Sequence, residues 1–306
     1  KFLRELNGML NDAGGGVNEQ LIRAAYNGNL DVVKNMLAGG ADVDAKDGNG
    51  GTALMWAAGQ GHYDVAKYLA DNGADVNHEA NNGVTPLETA IVGGKPEILE
   101  YMVSSGAEVN GKDRISPLLL ALSDGRADLA QLLLDMGADV NAKARNGKFP
   151  LLVATYEAKD PQIVKWLVMH GAEVDGRFTN GTTSLMYAAM DGSLDIAKCL
   201  VENRADVNAL DDHGLSPLIT AVDSGNLGVV KYLVSKGTDV NARDKSGASA
   251  LTYAAGQGHL DIVKYLVAKG ADIHMKDNEG RTPMKMAEQV DHKDIVAFLK
   301  KHGAHE

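Results

Sequence analysis

Several stretches of this chain hold residue types that could do chemistry, and each falls short on spacing. Asp44, Asp47 and Asn49 hint at a calcium loop, but Met55 stands where such a loop needs a bidentate Glu. Gly93-Gly94-Lys95 resembles part of a phosphate loop in composition and then runs into Pro96. His292, His302 and His305 could take a stray metal, whereas His62 and His259 recur with the text around them and are read as structural. No G-x-x-x-x-G-K-[ST], H-E-x-x-H or G-x-S-x-G occurs. Cys199 is the only cysteine, which rules out an internal disulfide and a cysteine-based metal cage. It occupies a slot held by Tyr68, Tyr101, Trp166, Tyr232 and Tyr265 elsewhere, so a packed thiol is expected. Asn180-Gly181-Thr182 is a glycosylation sequon, meaningful only in a protein exported from a eukaryotic cell. No catalytic, cofactor or metal site is expected, which leaves binding.

The elements that would carry a binding surface are written nine times. GQGHYDVAKYL at 59–69 returns as GQGHLDIVKYL at 256–266. Leu21, Leu54, Leu87, Leu118, Leu151, Leu185, Leu218, Leu251 and Met284 head the units, 33 residues apart save for one gap of 31 and one of 34. A fixed period of this size means stacked supersecondary units that leave a long open surface. In residues 47–79, Asp47-Gly48-Asn49-Gly50-Gly51 supplies a tight hairpin. Thr52 is placed to cap a first helix, as are Thr85, Ser116, Thr183, Ser216, Ser249 and Thr282, and Thr85 with Glu88 has capping-box spacing. Pro86, Pro117, Pro150, Pro217 and Pro283 follow at the first helical position. Val65, Tyr68 and Leu69 give the second helix its core face, and Gly73 ends it as a left-handed cap. Asp31–Lys34, Asp64–Lys67, Asp195–Lys198 and Asp261–Lys264 are spaced as i,i+3 ion pairs.

A hairpin plus two antiparallel helices at this period resembles the ankyrin repeat. T-P-L, the paired alanines (Ala57 and Ala58, Ala254 and Ala255), G-H-x-D-[IV]-V-K-x-L and G-A-D-V-N carry the resemblance from about residue 18 to 304. The His usual after T-P-L is absent from all nine copies, with Met55, Glu88 and Leu119 among its replacements. The resemblance implies an all-α ankyrin-repeat solenoid of helix-turn-helix pairs with β-hairpin-like loops. Residues 1–17 are read as an N-terminal capping helix with a Gly-rich turn. Residues 18–306 are read as nine repeats forming one elongated domain, the last a C-terminal cap.

The family's binding groove lies on the hairpin tips and first helices, at the second residue after each leucine and at positions five and six beyond it. Those positions hold the aromatic and apolar Trp56, Tyr156, Tyr187, Met190 and Tyr253, and the acids Asp124, Glu157, Asp191 and Asp223, one per unit through four units. Aromatics beside charge of one sign suit recognition, and the acids suit a basic or extended segment. A locally broken rule without structural gain marks function, and here the breaks cluster mid-chain. The hairpin after Asn110 is two residues short. Phe149 takes a cap slot, and the turn Tyr156–Pro161 carries one extra residue. Arg177-Phe178 stands where Asp is common. Exposed, Phe149 and Phe178 would be costly unless a partner covered them.

A net charge of −11 argues against a general nucleic-acid binder, although many acids recur in fixed repeat slots. No apolar run approaches the roughly 18 residues of a membrane span. The expectation is a monomeric, non-catalytic scaffold binding another protein, with no nucleic acid and no membrane. The alternative is a regulator that docks on an enzyme and blocks or protects it. A cytoplasmic setting is favoured; an exported or periplasmic one stays open, because the chain begins at Lys1 without a Met.

Overall fold

The computed structural model describes residues 16–111 and 116–305. Of the expected N-terminal cap over residues 1–17, all but Gly16 and Val17 lie outside these residues, as do Lys112 to Ile115 of the shortened hairpin. Among the described residues there are 18 helices, arranged as first and second helices in alternation, and no strand. The hairpins contribute only isolated antiparallel bridges such as Lys46 with Thr52 and Arg177 with Thr183.

The chain packs as two compact units that meet in sequence between Ala142 and Lys143. The first holds α1 (Val17–Tyr26), α2 (Leu30–Ala38), α3 (Ala53–Gly59), α4 (Tyr63–Asp71), α5 (Pro86–Gly93), α6 (Pro96–Ser104), α7 (Pro117–Ser123) and α8 (Ala127–Asp135). Within it α1, α3, α5 and α7 stack in order, and α2, α4, α6 and α8 do the same behind them. The second unit opens with α9 (Pro150–Val153), which runs into a π-helical turn at Ala154–Ala158. Then come α10 (Pro161–Met169), α11 (Ser184–Asp191), α12 (Leu194–Glu202), α13 (Pro217–Asp223), α14 (Leu227–Ser235), α15 (Ala250–Gln257), α16 (Leu260–Ala268), α17 (Pro283–Gln289) and α18 (Lys293–Lys301). Odd-numbered helices again stack on odd, even on even.

Each of the heading residues, Leu21 to Met284, is buried, and small partners such as Ala57, Ala58, Ala254 and Ala255 are buried with them. All seven Thr and Ser caps accept from the N3 backbone N–H, and Thr85 with Glu88 closes a full capping box. Gly73 takes φ 91°, the left-handed conformation expected of it. Arg204 keeps that conformation at φ 72°, a strain of about 1 kcal/mol for a residue with a Cβ. Successive units are stapled by side chains. Asn77 Oδ1 accepts from Glu108 N and Asn110 Oδ1 from Asp139 N, each at 2.8 Å, so this register survives the two-residue deletion that follows Asn110. His62, His259 and His292 reach the carbonyls of Tyr26, Asp223 and Gly256, which places them in the scaffold.

Some expectations need correction. Among the i,i+3 pairs, Asp195–Lys198 closes at 3.3 Å, but Lys67 turns to Asp71 at 3.1 Å, its ammonium over the Tyr101 ring. Phe149 is a core residue, 4% exposed. Its ring covers Gly176, where a Cβ would stand 3.1 Å from it. Ala45, Ala142, Ala209 and Ala242 fill the corresponding place elsewhere, so one missing methyl makes room for the ring. Cys199 is half-buried, and burial followed by nearby Glu202 pushes its thiol pKa up, as suits a packing residue.

Candidate functional site

The hairpin aspartates show what an ordinary repeat does with its charged groups. Asp47 Oδ1 accepts from the N–H groups of Asn49 and Gly51, and its Oδ2 from Trp56 Nε1 at 2.9 Å. Both oxygens are committed to the hairpin and first helix, which accounts for the calcium-like spacing without a metal. Among the described residues no group of three or more His, Cys, Asp or Glu is arranged to hold a metal ion. Asp244 repeats the pattern, with Tyr253 Oη donating to Oδ2 at 2.8 Å. Burial and then Asp244 push the Tyr253 hydroxyl pKa far up.

Against this frame the twelve residues expected to bind separate into groups. Trp56 is corrected to a core role: it is 4% exposed, its ring packed on Tyr26 and its N–H spent on Asp47. Arg177 is a staple, since Nη1 donates to Gly181 O and Leu210 O, as Arg243 donates to Gly247 O and Lys276 O. Asp124 ends α7 in the first unit and is exposed. Asp223 ends α13 and accepts from Gln257 Nε2 at 2.7 Å. Phe178 is half-buried and leans over Gly147.

Phe149 belongs to the core and Tyr253 to Asp244, and the remaining five, Tyr156, Glu157, Tyr187, Met190 and Asp191, gather in the second unit. Tyr156 is 47% exposed and Met190 42%, and the ring of Tyr156 lies 5.1 Å from that of Tyr187. The extra residue of the 34-residue gap is absorbed by the π-helical turn, which carries Tyr156 and Glu157. Such one-turn π insertions occur often at functional sites. Lys159 closes the turn in a left-handed conformation, φ 52°. Glu157 is ion-paired with Lys148, and Asp191 with Lys159. Lys159, then the Ser193 hydroxyl, hold the Asp191 carboxyl below the usual carboxylate range. Burial and then Tyr156 raise the Tyr187 hydroxyl pKa, with Lys148 opposing them. Two aromatic rings and a thioether are thus framed by two ion pairs, a pattern of apolar anchors with a polar rim.

Sequence reasoning missed Lys148 and Lys159. Lys148 lies nine residues before Glu157, the same separation as Asp47 to Trp56, and Lys159 lies 32 before Asp191, close to the repeat period. Those spacings were the available signal.

The family model for ankyrin repeats in sets of three copies matches residues 21–113, 110–177, 151–244 and 237–306. The chain belongs to the ankyrin-repeat family. No curated protein matches it. Ankyrin repeats are in general protein–protein interaction modules and are typically non-catalytic. Among the described residues no helix is long and apolar enough to cross a membrane.

Proposed function

We propose that this ankyrin-repeat chain is a non-catalytic, monomeric scaffold that binds an extended segment of another protein through the π-turn repeat and its neighbour. The observation that carries this reading is the exposed Tyr156 and Met190 beside half-buried Tyr187, on the hairpin and first-helix side of a repeat that departs from its own pattern. Large aromatic and methionine side chains are the anchors of binding surfaces. A wholly basic partner is not required, because Glu157 and Asp191 already have lysines.

The test is partner capture by the full chain and by the double variant Tyr156→Ala, Met190→Ala. Both residues are exposed, so unfolding free energies from denaturant melts should agree to within about 0.5 kcal/mol while capture falls at least tenfold. Equal capture by the variant would return these residues to ordinary surface. A captured enzyme that loses activity on binding would make the chain a regulator.

A further inference from the structure

First-helix donors and hairpin carboxylates pair across nine residues in this chain. Trp56 gives its N–H to Asp47, and Tyr253 its hydroxyl to Asp244. Tyr187 holds the equivalent place, two residues after Leu185, and its ring lies against Tyr156 much as Trp56 lies against Tyr26. The residue nine before it is Phe178, which has no acceptor to offer and leans over Gly147. The Tyr187 hydroxyl makes no hydrogen bond to a described residue. Lys148 is ion-paired with Glu157, the neighbour of the Tyr156 whose ring lies on Tyr187, and its charge opposes the rise in the Tyr187 hydroxyl pKa. An ammonium group has three N–H donors, so Lys148 can hold Glu157 and a second carboxylate together. A basic visitor, by contrast, would have to displace Lys148 or Lys159 from its own acid.

We infer that the place left by the missing hairpin acid takes a carboxylate from the bound segment, an Asp or Glu side chain donated to by Tyr187 and Lys148, with a neighbouring apolar residue of that segment lying on Tyr156 and Met190. This rests on the proposed surface and adds its specificity. Hydrogen bonds to charged groups contribute about 1.5 kcal/mol or more, roughly a tenfold discrimination.

The probes are two capped peptides, acetyl-Leu-Asp-Phe-amide and its Asn counterpart, titrated into the isotope-labelled full chain and followed by NMR shifts at Tyr156, Tyr187 and Met190. The Asp peptide should bind about tenfold more tightly. Tyr187→Phe should cut that preference by about threefold or more, leaving only what Lys148 provides. Phe178→Asp, which restores the acid within the chain, should abolish it and push the Tyr187 hydroxyl pKa further up, as Asp244 does for Tyr253. Equal affinity for the two peptides, or a preference unchanged by Tyr187→Phe, overturns the carboxylate inference and leaves the surface standing. Binding of neither peptide overturns both.

Discussion

Asp47, Asp211, Asp244 and Asp277 fold back one oxygen onto the backbone N–H groups of their own hairpins, and three of them spend the second on a side chain. Asp277 is the most buried case: its carboxylate accepts from Glu279 N and Arg281 N at 2.9 Å and from Arg281 Nε at 2.6 Å. Burial alone would raise its pKa, but the Arg281 and Glu279 backbone donors and the guanidinium outweigh it, and the carboxyl sits below its ordinary range. A depressed folded pKa stabilises the fold fully above the unfolded value of about 3.9, and that contribution is lost as pH falls through the lower, folded value. Asp277→Asn should therefore cost about 1–3 kcal/mol at pH 7, with the gap to the parent chain closing as pH drops below about 4. Denaturant melts of both proteins across that range check it; a gap that ignores pH would refute the linkage. The sequence marks these acids through their recurrence. It does not show how their oxygens are allotted, because the second bond reaches nine residues in Asp47 and Asp244 but four in Asp277. That is also why Trp56 looked like a surface anchor.

Helices were legible where local chemistry agreed with the period: caps, N1 prolines and left-handed glycines all fell where the sequence placed them. The element that departs is α9. The spacing betrayed an extra residue, yet whether it would lengthen a loop or distort a helix depends on packing, and the outcome is a π turn that re-aims Tyr156 and Glu157. Phe149 shows the same limit. Its type marked an anomaly, but its compensation, the missing methyl of Gly176, lies 27 residues away in the next hairpin. The pair makes a coupling prediction. Gly176→Ala alone should cost about 1–3 kcal/mol by crowding the ring, and Phe149→Thr alone a similar amount or more by opening a cavity. Together they recreate the combination found in ordinary repeats and should be less harmful than their sum by at least about 1 kcal/mol. A double-mutant cycle from equilibrium unfolding measures this; strict additivity would mean that ring and glycine do not accommodate each other.

At the scale of the whole chain, stability in a repeat array is close to a sum of intrinsic repeat terms and nearest-neighbour interfaces, so the weakest repeat is where opening begins. Acidity spread through fixed repeat slots does not single out any repeat; Asp31, Asp64, Glu97, Asp128, Asp195, Asp261 and Asp294 all sit in the first turns of second helices, answering the helix dipole. Capping does so within the second unit. The first helices α3, α5, α7, α11, α13, α15 and α17 each have a Thr or Ser side chain on the N3 amide, whereas α1 starts at an uncapped Gly16 in the first unit and Phe149 gives α9 none in the second, and α9 has four residues before its geometry changes. A lost cap costs about 1 kcal/mol, or roughly a fivefold larger open population. Native-state hydrogen exchange should therefore find the amides from Val153 to Glu157 about fivefold less protected than those at the ends of α11 and α13 in the same unit. The proposed partner touches this very turn through Tyr156, and a ligand that binds only the closed form shifts the balance by RT ln(1 + [L]/Kd). Saturating partner should then raise protection in this stretch first, joining recognition to the least stable repeat of that unit. Amides at Val153–Glu157 that exchange no faster than those of α13 would show that the π turn is as firmly held as the ordinary helices, and the binding site would then owe nothing to local opening.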